Sequence, residues 1–354
     1  MRTDGANPIM ADKRMENLRA VGFLCALMVV SIHCWSSHLF VAGESGLSSL
    51  KAGMLILLTA SLSRVAVPCF FVLTGFFLAR GFQPGMAWYL TVVKKRFLTI
   101  YVPFLIWNAI NVALAFAFGK AGDSSPSIIF QKIAGLNPYV GTACIQFWYL
   151  QTVIIWVLVS LVILPVLKRD VFAIPIAILL AVAWAFNYRC VPYAISPWAF
   201  LWLTIGTMAA FHENITAIVA AKYRTRKIRA ASWGALVLAV LFRISSGVSR
   251  DAGLFNLAEK LLVPVGVATL FLNSDVIARM LAPLHRLWGL GFFVYAFHTI
   301  VISVIALVFS LVPENEFCAA VCKLAGGIVV SLCVGFTLRK VQPTLFAVVT
   351  GGRG

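Results

Sequence analysis

The sequence predicts an all-α polytopic membrane protein of about ten transmembrane helices with both termini cytoplasmic. Three observations predict it. Of its 354 residues, 61% are apolar and 12% charged, against roughly 25% charged in an ordinary soluble domain. Apolar runs of spanning length, roughly 17–25 residues, recur along the whole chain. The net charge of +17 is concentrated in alternate connecting segments, which is the positive-inside pattern. A chain this apolar has the bilayer as its solvent. The excess of Lys and Arg therefore reads as cytoplasmic loops rather than as a nucleic-acid surface. Membrane lipids are expected partners and nucleic acid is not.

The first run, near 20–41, follows a basic N-terminal segment. It is longer than a signal-peptide core and no A-x-A-like cleavage site follows, so it is expected to stay as a helix, with 1–15 as a flexible cytoplasmic N-terminus. Further runs lie near 53–79, 99–119, 146–167, 171–188, 195–212, 231–245, 258–273, 288–311 and 317–337, the seventh and eighth being short. With the N-terminus inside, twenty of the 29 Lys and Arg fall in inner segments and eight, Arg243 among them, in outer ones; Arg64 lies within a span. The twelve acidic residues divide evenly, so the asymmetry lies in Lys and Arg, as the rule requires. The expected organisation is one integral-membrane domain over 1–354 with no fused soluble domain. Most of the eight Cys lie in apolar runs, with no CxxC pair and no Cys/His metal spacing, so no metal is expected.

Polar groups inside spans are expensive and mark functional sites by default. Three stand out: His33 in LMVVSIHCW of the first span, Arg64 in SRVAVPCFFVLTGFF of the second, and His298 in FFVYAFHTIV of the ninth. If the first span starts near Ala20, His33 lies ~20 Å from the inner face. If the second starts near Gly53, Arg64 lies ~14 Å from that face. The difference of ~6 Å is about the reach of an Arg side chain, so antiparallel neighbours can bring the two together. A neutral imidazole bonded within the bundle is the plain structural alternative for either His. Snorkelling is the alternative for Arg64, and a position near mid-membrane disfavours it. Arg19 opens the first span, fourteen residues before His33. That spacing falls ~40° short of four turns and spans ~21 Å on one face, which suits a long ligand with its charged end at Arg19 and its reactive end at His33. The basic clusters Lys94–Lys95–Arg96 and Lys222–Arg229 suit a phosphorylated cytoplasmic ligand or anionic headgroups.

Six segments, in order, resemble the acyltransferase family 3 membrane proteins. MENLRAVGFLCALMVVSIH resembles that family's first helix, with its acidic-x-Leu-Arg start and membrane His. SRVAVPCFFVLTGFFLAR resembles its second-helix signature, and KKRFLTIYVPFLIWN its basic approach to the third helix. FWYLQTVIIWVL, FFVYAFHTIV and LRKVQPTLFAVVTGGR resemble its fourth helix, its late Tyr-x-x-His helix and the tail of some members. The resemblance implies transfer of an acyl group, usually acetyl and sometimes succinyl, from cytoplasmic acyl-CoA to a hydroxyl or amine of a glycan or other acceptor, here expected in a bacterial inner membrane. It maps the family's functional His and Arg onto His33 and Arg19. Two departures are visible. Thirteen residues separate Arg19 from His33 where the family commonly has ten, and Thr99 stands where a second Arg is expected after Arg96.

For acyl transfer, His33 is expected to act as general base or as covalent acyl carrier, two roles that the sequence does not separate. Arg64 is expected to stabilise the oxyanion or to hold the pantetheine carbonyls. Arg19, Lys95 and Arg96 are expected to hold the CoA phosphates, and His298, Tyr295 and Trp148 to bind the acceptor. The rival reading from another class is a transporter or flippase for a lipid-linked glycan, which also uses intramembrane His and Arg. No internal repeat of the kind common in transporters is visible. No nucleophile elbow, P-loop or HExxH motif is present.

Overall fold

Helices account for most of the described backbone, and the described residues contain no strand. The computed structural model describes residues 8–34, 53–54, 56–119, 125–137, 139–187, 195–212, 222, 225–249, 251–310 and 316–353. Eight helical stretches among them are long and apolar enough to cross a bilayer: Asp12–Ile32, Thr59–Arg80, Met86–Ala117, Ile145–Leu167, Arg226–Val248, Ala252–Leu272, Ala282–Phe309 and Phe317–Val341. Two shorter apolar helices, Asp170–Ala185 and Pro197–Phe211, stand where the fifth and sixth spans are expected. The chain is an all-α polytopic membrane protein.

It forms two units. The first comprises Met1–Phe70 and Asn214–Leu332, the second Phe71–Glu213 and Cys333–Gly354. In the first unit, α1 (Pro8–Ile32) starts earlier and stops sooner than expected. The stretch ADKRMENLRA is rich in good helix formers, so the helix propagates through it. Arg19 thus lies inside α1 rather than at its start, and His33 one residue beyond its end. The second span begins irregularly, as a π-helical turn (Ile56–Ser61) and a 3-10 turn (Leu62–Val65), before α2 (Ala66–Arg80). Helices α9 (Arg226–Val248) and α10 (Ala252–Leu272) form a hairpin, and both exceed their expected lengths. Thr225 and Asp251 cap them, accepting from Ile228 N and Leu254 N, as N-cap side chains do. A short α11 (Ser274–Met280) and a 3-10 stretch (Ala282–Leu290) lead to α12 (Gly291–Phe309), then α13 (Glu316–Val341). Helix α1 packs on α11, α12 and the 3-10 turn of the second span. Val30, Cys34, Val294 and Ile302 form a buried cluster there.

In the second unit, α3 (Met86–Arg96) continues through a π turn (Phe97–Tyr101) into α4 (Val102–Ala117). Lys94, Lys95 and Arg96 therefore sit within one helical rod rather than ahead of it. After α5 (Pro126–Ala134) come α6 (Trp148–Leu167), α7 (Asp170–Ala185) and α8 (Pro197–Phe211). The unit is completed by the end of α13 and by α14 (Pro343–Thr350), which packs on α4.

Candidate active site

The last turn of α1 is tightened. His33 N donates to Val30 O and Cys34 N to Ser31 O, each at 3.2 Å, and Ser31 Oγ to Met28 O at 2.7 Å. This i→i−3 pattern closes the helix and leaves His33 partly buried at its tip. Packed against α1, α12 carries His298, which is 0% exposed. The two imidazole rings face each other with centroids 5.2 Å apart and planes tilted by 45°. His298 Nδ1 lies 3.0 Å from Val294 O, one turn back. A carbonyl only accepts, so Nδ1 carries the proton and Nε2 presents a lone pair when the ring is neutral. That buried Nε2 has no hydrogen-bond partner among the described residues. Leaving such a group unpaired costs about 1–3 kcal/mol, a cost typical of a site that awaits a ligand. Tyr295, on the same helix, is buried between the rings of Phe70 and Phe292, at 6.3 and 6.1 Å.

Arg64 projects from the irregular start of the second span. Pro68 explains the irregularity: it has no N–H to offer the carbonyl four residues back, and its ring crowds that carbonyl. The residue four back is Arg64. Ser63 Oγ takes up Thr59 O at 2.8 Å. The Arg64 side chain is exposed and lies within electrostatic reach of His33 and of Arg243. Gly266 on α10 lets the segment seat closely, since a Cβ there would collide with the side chain of Val65.

Arg243 is not the outer-loop charge expected of it. It is 0% exposed within α9, with Nη2 2.8 Å from Glu259 Oε2 on α10. Its Nε donates to Ala60 O at 3.2 Å and its Nη1 to Phe255 O, and its guanidinium carbon lies 3.2 Å from the Phe255 ring centroid. The ion pair thus satisfies a carbonyl of the π-helical turn that precedes Arg64. A charge in the apolar run LAVLFRISS, mirrored across the hairpin by Glu259, was the available signal. Residues 243 and 259 stand equally far from the turn at 251, as cross-hairpin neighbours do.

His33, Arg64, His298 and Tyr295 belong to the first unit, as does Arg19, which is exposed on α1. Lys95, Arg96 and Trp148 belong to the second. Lys95 is exposed and Arg96 partly buried. Arg96 is the charged residue in the lining of an otherwise largely apolar cavity of about 310 Å³, with Tyr101, Gln151 and Leu158 among its walls. Trp148 packs its ring against Phe71 and Trp198, each at 5.9 Å. Its neighbour Tyr149 has its hydroxyl 2.7 Å from Thr74 Oγ1.

The family model described as an acyltransferase domain, acyltransferase family 3, matches residues 15–338. That is nearly the whole chain, so the chain belongs to this family. No curated protein and no solved structure matches it.

Proposed function

We propose that this family member moves an acyl group, with acetyl the first candidate, from cytoplasmic acyl-CoA to a hydroxyl of a cell-envelope glycan or glycolipid, in a bacterial inner membrane with both termini cytoplasmic. The observation that carries the reading is the His33–His298 pair with Arg64 in electrostatic reach. An acyl transfer needs a base for the acceptor proton and a cation for the oxyanion, and this cluster supplies both groups.

In the direct route, His33 takes the proton of the acceptor hydroxyl as its oxygen attacks the thioester carbonyl. Arg64 stabilises the oxyanion of the tetrahedral intermediate. That intermediate collapses with loss of the C–S bond, and the proton returns from His33 to the CoA thiolate. In the covalent route, a His33 ring nitrogen attacks the thioester first and CoA leaves as the thiol. The acceptor oxygen then attacks the acyl carbonyl, His298 Nε2 takes the hydroxyl proton, and as the acyl–nitrogen bond breaks that proton passes to the departing His33 nitrogen, which restores the neutral imidazole. Tyr295 serves the acceptor and Arg19 the phosphates of the donor.

The test uses purified protein, radiolabelled acetyl-CoA and an envelope glycan fraction, comparing wild type with His33→Ala. Label reaching glycan with wild type alone supports the reading. Equal transfer by both proteins removes His33 from the chemistry. Quenching the donor reaction without acceptor separates the routes: label retained on wild-type protein and absent from His33→Ala marks the covalent one.

A further inference from the structure

The segment that delivers Arg64 is a π turn (Ile56–Ser61) followed by a 3-10 turn (Leu62–Val65). Neither has the i→i−4 ladder that makes an α-helix stiff. Two of its carbonyls accept from side chains instead. Thr59 O takes Ser63 Oγ at 2.8 Å, a bond within the segment. Ala60 O takes Arg243 Nε at 3.2 Å, a bond from α9.

The α9–α10 hairpin is shaped to receive this segment. The π turn packs on α9 and the 3-10 turn on α10. Gly247 of α9 leaves room for Ile56, and Gly266 of α10 leaves room for Val65; a Cβ at either position would collide with that side chain. Both ends of the segment, Ile56 and Val65, are buried in these seats, and Arg243 grips Ala60 between them. The guanidinium is itself fixed, by Glu259 Oε2 at 2.8 Å, by Phe255 O and by the Phe255 ring beneath it. Its single Nε hydrogen is therefore aimed at one carbonyl, four residues before Arg64. On its other side the 3-10 turn lies against α1, the helix that ends at His33.

A buried ion pair adds little stability, because desolvation offsets its attraction and apolar side chains of similar volume often replace it at no loss. What apolar side chains cannot supply is a directional donor anchored on the facing helix. We propose that Arg243, held by Glu259, is a positioning residue: through Ala60 O it sets where the Arg64 guanidinium stands relative to His33. The catalytic part of this rests on the reading of Arg64 as oxyanion donor given above.

The experiment compares the full chain in phosphatidylcholine nanodiscs as wild type, as the double variant Arg243→Met with Glu259→Leu, and as Arg243→Lys, which keeps a cation beside Glu259 but lacks the Nε–H. Amide hydrogen exchange and transfer from acetyl-CoA to the envelope glycan fraction are measured on each. In the double variant, exchange within 56–65 is expected to quicken by about tenfold or more, the loss of a charge-assisted hydrogen bond, while α9 and α10 stay protected. Its kcat is expected to fall by about 10- to 100-fold with the KM for donor little changed, the effect of a displaced catalytic group. Adding Arg64→Met is expected to cost about 10²-fold in wild type and far less in the double variant, since the two changes act on one group. Should the double variant unfold, Arg243→Lys carries the same measurements, with changes of the same sign expected. Unchanged exchange within 56–65 in a folded variant overturns the clamp, whatever the activity. An unchanged kcat, or an Arg64→Met loss as large in the variant as in wild type, overturns the positioning of Arg64. Faster exchange within 56–65 alongside a wild type that transfers no acyl group keeps the clamp and removes the acyl-transfer reading instead.

Discussion

His33 and His298 face each other at 5.2 Å between ring centroids, and Val294 O fixes which nitrogen of His298 carries its proton. Two imidazoles at that distance are expected to act as a unit. Each single Ala substitution should lower the rate of transfer by about 10²–10⁴-fold, the usual contribution of a positioned acid or base. Groups that act together are strongly non-additive, so the double variant should be little worse than the worse single one. Steady-state transfer rates for the four proteins check this, and multiplying losses would mean that the rings work independently.

Arg64 is exposed, so its removal leaves no cavity. Arg64→Met is expected to keep the thermal unfolding temperature of wild type while kcat falls by about 10²-fold, the cost of losing one oxyanion donor. Arg64→Lys should restore part of kcat. A fall in unfolding temperature that tracks the loss of activity would reassign Arg64 to structure.

The Arg243–Glu259 pair is a different case, because the guanidinium is fully buried. Removing one partner strands a charge, which costs about 3–5 kcal/mol, whereas replacing both by apolar groups is often near neutral. Arg243→Met and Glu259→Gln should each lower the unfolding temperature in detergent markedly, and Arg243→Met with Glu259→Leu should recover much of it. A double variant as unstable as the sum of the singles would contradict this.

Gly266 tests whether the seat of the Arg64 segment matters for catalysis. Gly266→Val must push against Val65, and overpacking of this kind costs about 1–3 kcal/mol. The displaced segment carries Arg64, so kcat should fall with little change in the KM for donor. An unchanged kcat in a folded variant would show that the segment tolerates the shift.

Several particulars of this architecture were legible in the residues alone. The positions of the eight long apolar helices and the two shorter ones among the described residues, and His33, Arg64 and His298 as polar groups in apolar runs, follow from composition and run length. The helix ends did not follow. Whether α1 starts at Pro8 or near Ala20 depends on helix propensity carrying through a polar segment, and the break before α2 depends on Pro68 acting on a carbonyl four residues earlier. Arg243 was misread because a charge near the end of an apolar run looks like a loop charge until its partner on the facing helix is known.

The sequence by itself determined the fold class and the family, because the bilayer makes its demand on each segment separately. Every span must be apolar and satisfy its own backbone hydrogen bonds, and both properties are written locally. Only the tertiary structure decided which groups meet. His33 and His298 are 265 residues apart, and Arg243 meets both Glu259 on the facing helix and the carbonyl of Ala60, 183 residues earlier. Such meetings depend on how helices rotate and cross, on close packing at residues such as Gly266, and on the pairing of buried charges. These are properties of pairs of segments, which no single run of residues contains.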